Sequence, residues 1–234
     1  MLNKAFSVYK DSFRGFSREV WLLSVVMLIN RSGTMVIPFL SVYLTQVKHF
    51  SLIQAGWVMS CFGAGSVLGS YIGGKLTDKI GYYSVQFWSL FLSGLAFIGL
   101  SFMDSLFSIC VMVFIASTIA DAFRPANFAA IAVYSSKENR TRAIALLRLA
   151  INLGWAVGPA AGGIIAAQLG YHWLFWVDGL TCMSAALYFR YALKERQITP
   201  ATNEEENISE EEPTFHTSVW KDHAFLFFLI FQTS

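Results

Sequence analysis

Between Leu52 and Tyr83 the chain reads LIQAGWVMSCFGAGSVLGSYIGGKLTDKIGYY. From Leu52 to Gly73 no side chain is charged, a run of 22 residues. At ~1.5 Å per residue that is enough helix to cross the ~30 Å hydrocarbon core of a bilayer. Lys75, Asp78 and Lys79 then crowd into five positions, as expected where a helix leaves the membrane. Gly65, Gly69 and Gly73 recur every fourth residue, so they share one helix face, and small residues on a lipid-immersed helix let another backbone approach. That face is predicted to touch a second helix.

Outward from this stretch the same pattern repeats. Sparsely charged runs at Val20–Thr45, Ser84–Met103, Leu106–Tyr134, Ala143–Gln168 and Trp173–Leu193 make six predicted spans, and a seventh run begins at Ala224. Composition agrees, with 55% hydrophobic and 14% charged residues and a mean hydropathy of +0.51. The expected class is all-α: a polytopic membrane protein with a six-transmembrane-helix bundle and the start of a seventh helix. A net charge of +2, with no basic patch outside the spans, gives no reason to expect a nucleic-acid partner.

The distribution of Lys and Arg sets the predicted orientation, because cations flanking spans stay in the cytoplasm. Lys4, Lys10, Arg14 and Arg18 precede the first span; Lys75 and Lys79 follow the second; Lys137, Arg140 and Arg142 follow the fourth; Lys194 and Arg196 follow the sixth. The other side has only Lys48. Both ends of the six-span unit are therefore expected in the cytoplasm. Residues 1–19, with Phe6, Tyr9, Phe13 and Phe16 between cations, suit an amphipathic segment on the membrane surface. Residues 20–194 form the bundle, and residues 195–222, with Pro200, Pro213 and the acidic clusters Glu204–Glu206 and Glu210–Glu212, read as a solvated linker. Residues 223–234 begin the seventh helix.

Five charges fall clear of the cytoplasmic ends of the predicted spans, where each costs ~2.5–3.5 kcal/mol on insertion scales and so calls for a function or a partner. Arg31 lies near the middle of the first span beside Asn30. Asp121 and Arg124 share a face of the fourth, followed by Pro125. Arg148 enters the fifth, and Asp178 lies a short way into the sixth, where a water-exposed position at the outer mouth is expected. Depth along the helices puts Asp78, Asp121, Arg124 and Arg148 toward one side, a candidate network that latches the bundle. Arg31 has no acid at its depth: it meets an acid outside these six spans, or an anionic substrate, or it snorkels. Cys61, Cys110 and Cys182 fall singly in three spans, with neither disulfide nor metal spacing, and are expected to pack as small apolar residues. No metal or cofactor is implied. His49, His172, His216 and His223 fall in loops or at a helix edge, which leaves no intramembrane Ser–His pair for an enzyme.

Two motifs carry a family resemblance. Gly74, Asp78, Lys79 and Gly81 match the signature loop between the second and third helices of the major facilitator superfamily, although Tyr82 and Tyr83 stand where that pattern has a basic pair. Gly154, Gly158, Pro159, Gly162 and Gly163 resemble the superfamily's helix-five motif, associated with proton-coupled drug and small-molecule antiporters. Physically, the proline removes one helix hydrogen bond and bends the helix, while the glycines allow tight packing there. Arg124 is the nearest match to the helix-four arginine of proton coupling in the family. The resemblance implies secondary transport by alternating access: a small-molecule substrate exchanged for protons and a cavity shared with a second six-helix half beyond Ser234. Short loops and the lack of a cleavable-signal pattern suit a bacterial inner membrane. Uptake by symport and a non-transporting scaffold are the alternatives.

Overall fold

The computed structural model describes residues 16–136 and 138–195. The expectations for most of the N-terminal segment, Lys137, Arg196, the acidic linker and the seventh helix lie outside these residues. The described residues form α1 (Arg18–Ser32), α2 (Val36–Val42) running on into a π-helical turn at Tyr43–Val47, α3 (Leu52–Ile80), α4 (Tyr82–Leu100), α5 (Leu106–Asp121), α6 (Phe123–Tyr134), α7 (Arg140–Gln168) and α8 (His172–Ala192). No strand occurs among them. Five spans are long and apolar enough to cross a membrane: Arg18–Val47, Leu52–Ile80, Tyr82–Leu100, Leu106–Tyr134 and Arg140–Gln168. The sixth, α8, is long enough at 21 residues but carries His172, Asp178 and Arg190.

Two spans expected to be continuous are broken, each a few residues before a proline. In the first, α1 ends at Ser32 and α2 starts at Val36. Pro38 has no N–H to offer the Thr34 carbonyl, so the helix cannot pass through Gly33–Met35 with its ladder intact. In the fourth, Pro125 likewise leaves the Asp121 carbonyl without its helical donor, and the chain breaks at Ala122. The fifth span keeps its helix through Pro159.

Glycine faces seat these breaks. A Cβ at Gly65, Gly69 or Gly73 of α3 would fall 2.1–2.5 Å from atoms of Ser117, Thr118 and Ala122, so α3 lies directly against the broken fourth span. On α7, a Cβ at Gly154 would sit 2.4 Å from the Arg31 Cβ, and one at Gly158 would sit 3.1–3.2 Å from the carbonyl oxygens of Arg31, Ser32 and Thr34. Gly162 meets Met35 and Phe39, and Gly163 touches Phe39. The third and sixth spans meet each other at Gly94 and Gly179, whose carbonyls leave no room for a Cβ on the facing residue. The second span therefore packs on the fourth, the fifth on the first, and the third on the sixth: a repeat of contacts that the sequence does not display.

The motif after the second span departs from its expected form. The segment from Gly74 to Ile80 is not a loop but the last turns of α3, and the whole connection to α4 is Gly81. Gly81 has φ 84° and ψ 153°, a region open essentially to glycine alone. A Cβ at Gly74 would meet nothing within 4 Å, so neither a turn nor a close approach requires that glycine here.

Two apolar clusters hold the ends of the bundle. One gathers Leu23, Tyr82, Ala126, Ala130, Ala143 and Phe189; the other gathers Val36, Leu40, Val58, Phe97, Ile109 and Phe175. Val67, Phe107, Ile164, Leu187 and Tyr191 face outward with more than half their surface exposed, as suits side chains that meet lipid rather than water.

Candidate functional site: a charged interior cavity

Polar groups concentrate between the two apolar clusters. A cavity of about 190 Å³ is bordered by Asn30, Arg31, Asp121, Arg124, Asp178 and Cys182, with Phe62, Phe97, Phe123 and Trp155 among its apolar walls. A neighbouring cavity of about 280 Å³ shares Arg31, Arg124 and Trp155 and adds Asn127 and Arg148. The helix breaks aim these groups inward: Arg31 is in the last turn of α1, and Asp121 and Arg124 flank the break at Ala122.

Asp121 is buried and forms an ion pair with Arg124, its Oδ1 lying 2.7 Å from Nε. The three-residue spacing seen in the sequence survives the break, because Ala122 keeps helical dihedrals (φ −62°, ψ −21°). Arg31 differs. Its Nε is buried without a hydrogen-bond partner, and the guanidinium group makes no ion pair among the described residues.

Asp178 does not sit in water at an outer mouth: it is 2% exposed. Oδ2 accepts the N–H groups of Met35 (3.3 Å) and Val36 (3.2 Å), while the Cys182 thiol donates to Oδ1 at 3.7 Å. Asn30 Nδ2 donates to the Cys182 sulfur at 3.4 Å. A sequence depth count could not reveal this. The carboxylate is buried because the break in the first span exposes helix-start N–H groups that need an acceptor, and α8 supplies it. Cys182, expected only to pack, is the hydrogen-bonded link between Asn30 and Asp178.

Asp78 stays outside this cluster. It is exposed in the last turn of α3, with no ion pair among the described residues, so the expected four-residue latch is not assembled here. Arg148 borders the second cavity without an ion pair, and Lys79 is exposed. Tyr82 and Tyr83 replace the family's basic pair with aromatic contacts. The Tyr83 hydroxyl donates to the Leu193 carbonyl at 3.0 Å, and Tyr82 packs edge-on against Tyr134, whose hydroxyl donates to the Lys194 carbonyl at 2.7 Å. These hydroxyls satisfy carbonyls just past the end of α8.

One buried pair escaped the sequence reading. Gln86 Nε2 donates to Asn127 Oδ1 at 3.0 Å, joining α4 to α6 beside the second cavity. A polar side chain at mid-span was the available signal, weaker than a charge.

A helical bundle of membrane-length spans that closes around charged, hydrogen-bonded groups defines an integral membrane protein with a polar interior. The chain belongs to the Major Facilitator Superfamily, whose family model matches residues 20–234. Among curated relatives it is 25% identical over 211 residues to the uncharacterized MFS-type transporter YuxJ of Bacillus subtilis, covering 86% of this chain and 53% of that protein. It is 26% identical over 198 residues to the multi-drug resistance efflux pump PmrA of Streptococcus pneumoniae, covering 81% and 50%. Multidrug resistance protein MdtG of Salmonella schwarzengrund is 26% identical over 186 residues, covering 77% and 46%. The chain spans about half the length of these relatives.

Proposed function

We propose that this protein is a secondary active transporter that moves a small molecule out of the cell by alternating access in exchange for protons. The observation that carries the reading is the ion pair between buried Asp121 and exposed Arg124 at a break in the fourth span, bordering a cavity that Arg31 also lines. A charge held inside a membrane bundle marks a pathway for substrate or ions. Placing the pair beside a helix break gives it a bistable element to act on. The efflux direction follows the relatives named as efflux pumps and the glycine-rich fifth span.

In this reading Asp121 is the proton acceptor. Protonation removes its attraction to Arg124, frees the guanidinium, and lets the fourth span move against the glycine face of α3. Asp78 joins only in another conformation of the cycle. Both ends of the six-span unit lie in the cytoplasm of a bacterial inner membrane, residues 195–222 link it to a second bundle, and that bundle completes the cavity.

Everted membrane vesicles holding the protein expressed from its complete gene provide the test. Respiration acidifies their lumen, so a proton-coupled exporter accumulates an amphipathic fluorescent dye there, and a protonophore releases it. Asp121→Asn should abolish the driven accumulation while leaving the protein in the membrane. Accumulation only in right-side-out vesicles under an inward proton gradient would make the protein a symporter. Undiminished flux in Asp121→Asn would refute the role given to that carboxylate.

A further inference from the structure

The two cavities bring three guanidinium groups, Arg31, Arg124 and Arg148, to adjoining walls, against two carboxylates, Asp121 and Asp178. Both carboxylates are already engaged. Asp121 is matched to Arg124 at 2.7 Å, and Asp178 takes two backbone N–H groups and a thiol. The cations are not all matched. Arg31 makes no ion pair among the described residues, its Nε is buried and unpartnered, and Arg124 stands on the same wall as a second positive charge. An unpaired guanidinium with a buried, unsatisfied donor is unfavourable in a low-dielectric interior and favours a ligand of opposite charge.

An oxyanion resolves this imbalance. A planar guanidinium presents parallel N–H groups that fit a carboxylate, sulfonate or phosphonate, and an anion between Arg31 and Arg124 also screens their mutual repulsion. The remaining walls ask for an apolar body. Trp155 borders both cavities, and Phe62, Phe97 and Phe123 border the first. Each cavity is smaller than the ~300–1,000 Å³ of a typical ligand site, but they share three wall residues, so one ligand can extend across both.

From this arrangement we infer that the site takes small organic anions, an oxyanion head on an aromatic body, with Arg31 as the residue that binds the head. The inference rests on the transport reading for its physiological meaning, but the binding site can be tested separately. Three naphthalene probes share one body and differ in charge: naphthalene-1-sulfonate, 1-naphthylmethylammonium and 1-naphthalenemethanol. Titration calorimetry on the purified protein, expressed from its complete gene, should show the sulfonate binding at least 10-fold tighter than the ammonium. Arg31→Gln should weaken the sulfonate at least 10-fold and leave the alcohol unchanged, with Arg31→Lys intermediate. Arg148→Gln, at an exposed position that tolerates substitution, should weaken the sulfonate several-fold and serves if Arg31→Gln fails to fold.

Equal binding of the three probes, preference for the ammonium, or unchanged sulfonate affinity in Arg31→Gln would overturn the inference; the last would mean that another acid of the protein occupies Arg31. Displacement of the sulfonate by phosphatidylglycerol would overturn it in favour of a lipid head group. Dye accumulation in everted vesicles without anion preference would leave the transport reading standing and remove this one. Sulfonate binding without any driven flux would do the reverse.

Discussion

Replacing Asp178 with alanine should loosen the first span at its break, and the size of the effect follows from the bonds lost. Oδ2 is the acceptor for the N–H groups of Met35 and Val36, at 3.3 and 3.2 Å. A buried donor left unsatisfied costs ~1–3 kcal/mol. Both bonds are longer than the usual ~2.9–3.0 Å, so the lower end applies, about 2 kcal/mol for the two together. Removing the buried carboxylate also relieves a desolvation cost, so the informative comparison is with Asp178→Asn, which loses the charge but keeps an oxygen acceptor. The alanine variant should be less stable than the asparagine variant by about 2 kcal/mol, equivalent to ~30-fold faster exchange of amides 35 and 36. Thermal unfolding in detergent should place alanine below asparagine by about 4–8 °C, on the scale of a domain of this size. Hydrogen exchange with mass spectrometry should locate the change to the peptide spanning Gly33–Val36. Identical melting and identical exchange of that peptide in the two variants would refute the claim that Asp178 anchors the start of α2.

Gly154→Ala places a Cβ 2.4 Å from that of Arg31 and must push α7 away from α1; an overpacking cost of ~1–3 kcal/mol is expected, while Gly74→Ala, in open space inside α3, should hold or slightly raise the melting temperature. Gly81→Ala forces an L-residue to φ 84°, ψ 153° in a one-residue connection and should cost ~1–3 kcal/mol, measured by the same unfolding assay. On the opposite end of the bundle, Lys48 donates to Asp104, a hydrogen bond that raises the Lys48 pKa above its ordinary 10.5. A raised folded-state value means that the stabilisation is complete below 10.5 and is lost as pH climbs through the folded pKa. Because the Asp104 side chain is 87% exposed, Asp104→Asn should cost under ~1 kcal/mol at neutral pH, and the difference from wild type should vanish in strong alkali.

Hydropathy and charge spacing were sufficient for the membrane class and for most span positions, and the resemblance of two short motifs pointed to the family, because each is a property of residues close together in the chain. The uncharged run from Leu52 to Gly73 is a helix whatever it touches, and the motif residues Gly74, Asp78, Lys79 and Gly81 are adjacent in the chain. The charges Arg31, Asp121, Arg124, Arg148 and Asp178 were legible as anomalies for the same reason. Their environments were not. A count of residues from the end of a span put Asp178 near water, and composition made Cys182 an inert packing residue.

Only the tertiary structure decided those environments, since hydrogen-bond partners come from other spans. Asp178 is buried because Pro38, far away in sequence, interrupts the first span and leaves N–H groups that need an acceptor. Arg124 meets Asp121 because helical dihedrals persist through Ala122, whereas Arg31 shares the cavity with both carboxylates but forms an ion pair with neither. The glycine faces were visible as spacing, but which span each receives depends on the pairing of the second with the fourth and the fifth with the first. Sequence determines where a helix can exist in lipid; the packing of those helices determines which buried charge has a partner and which is left facing the cavity.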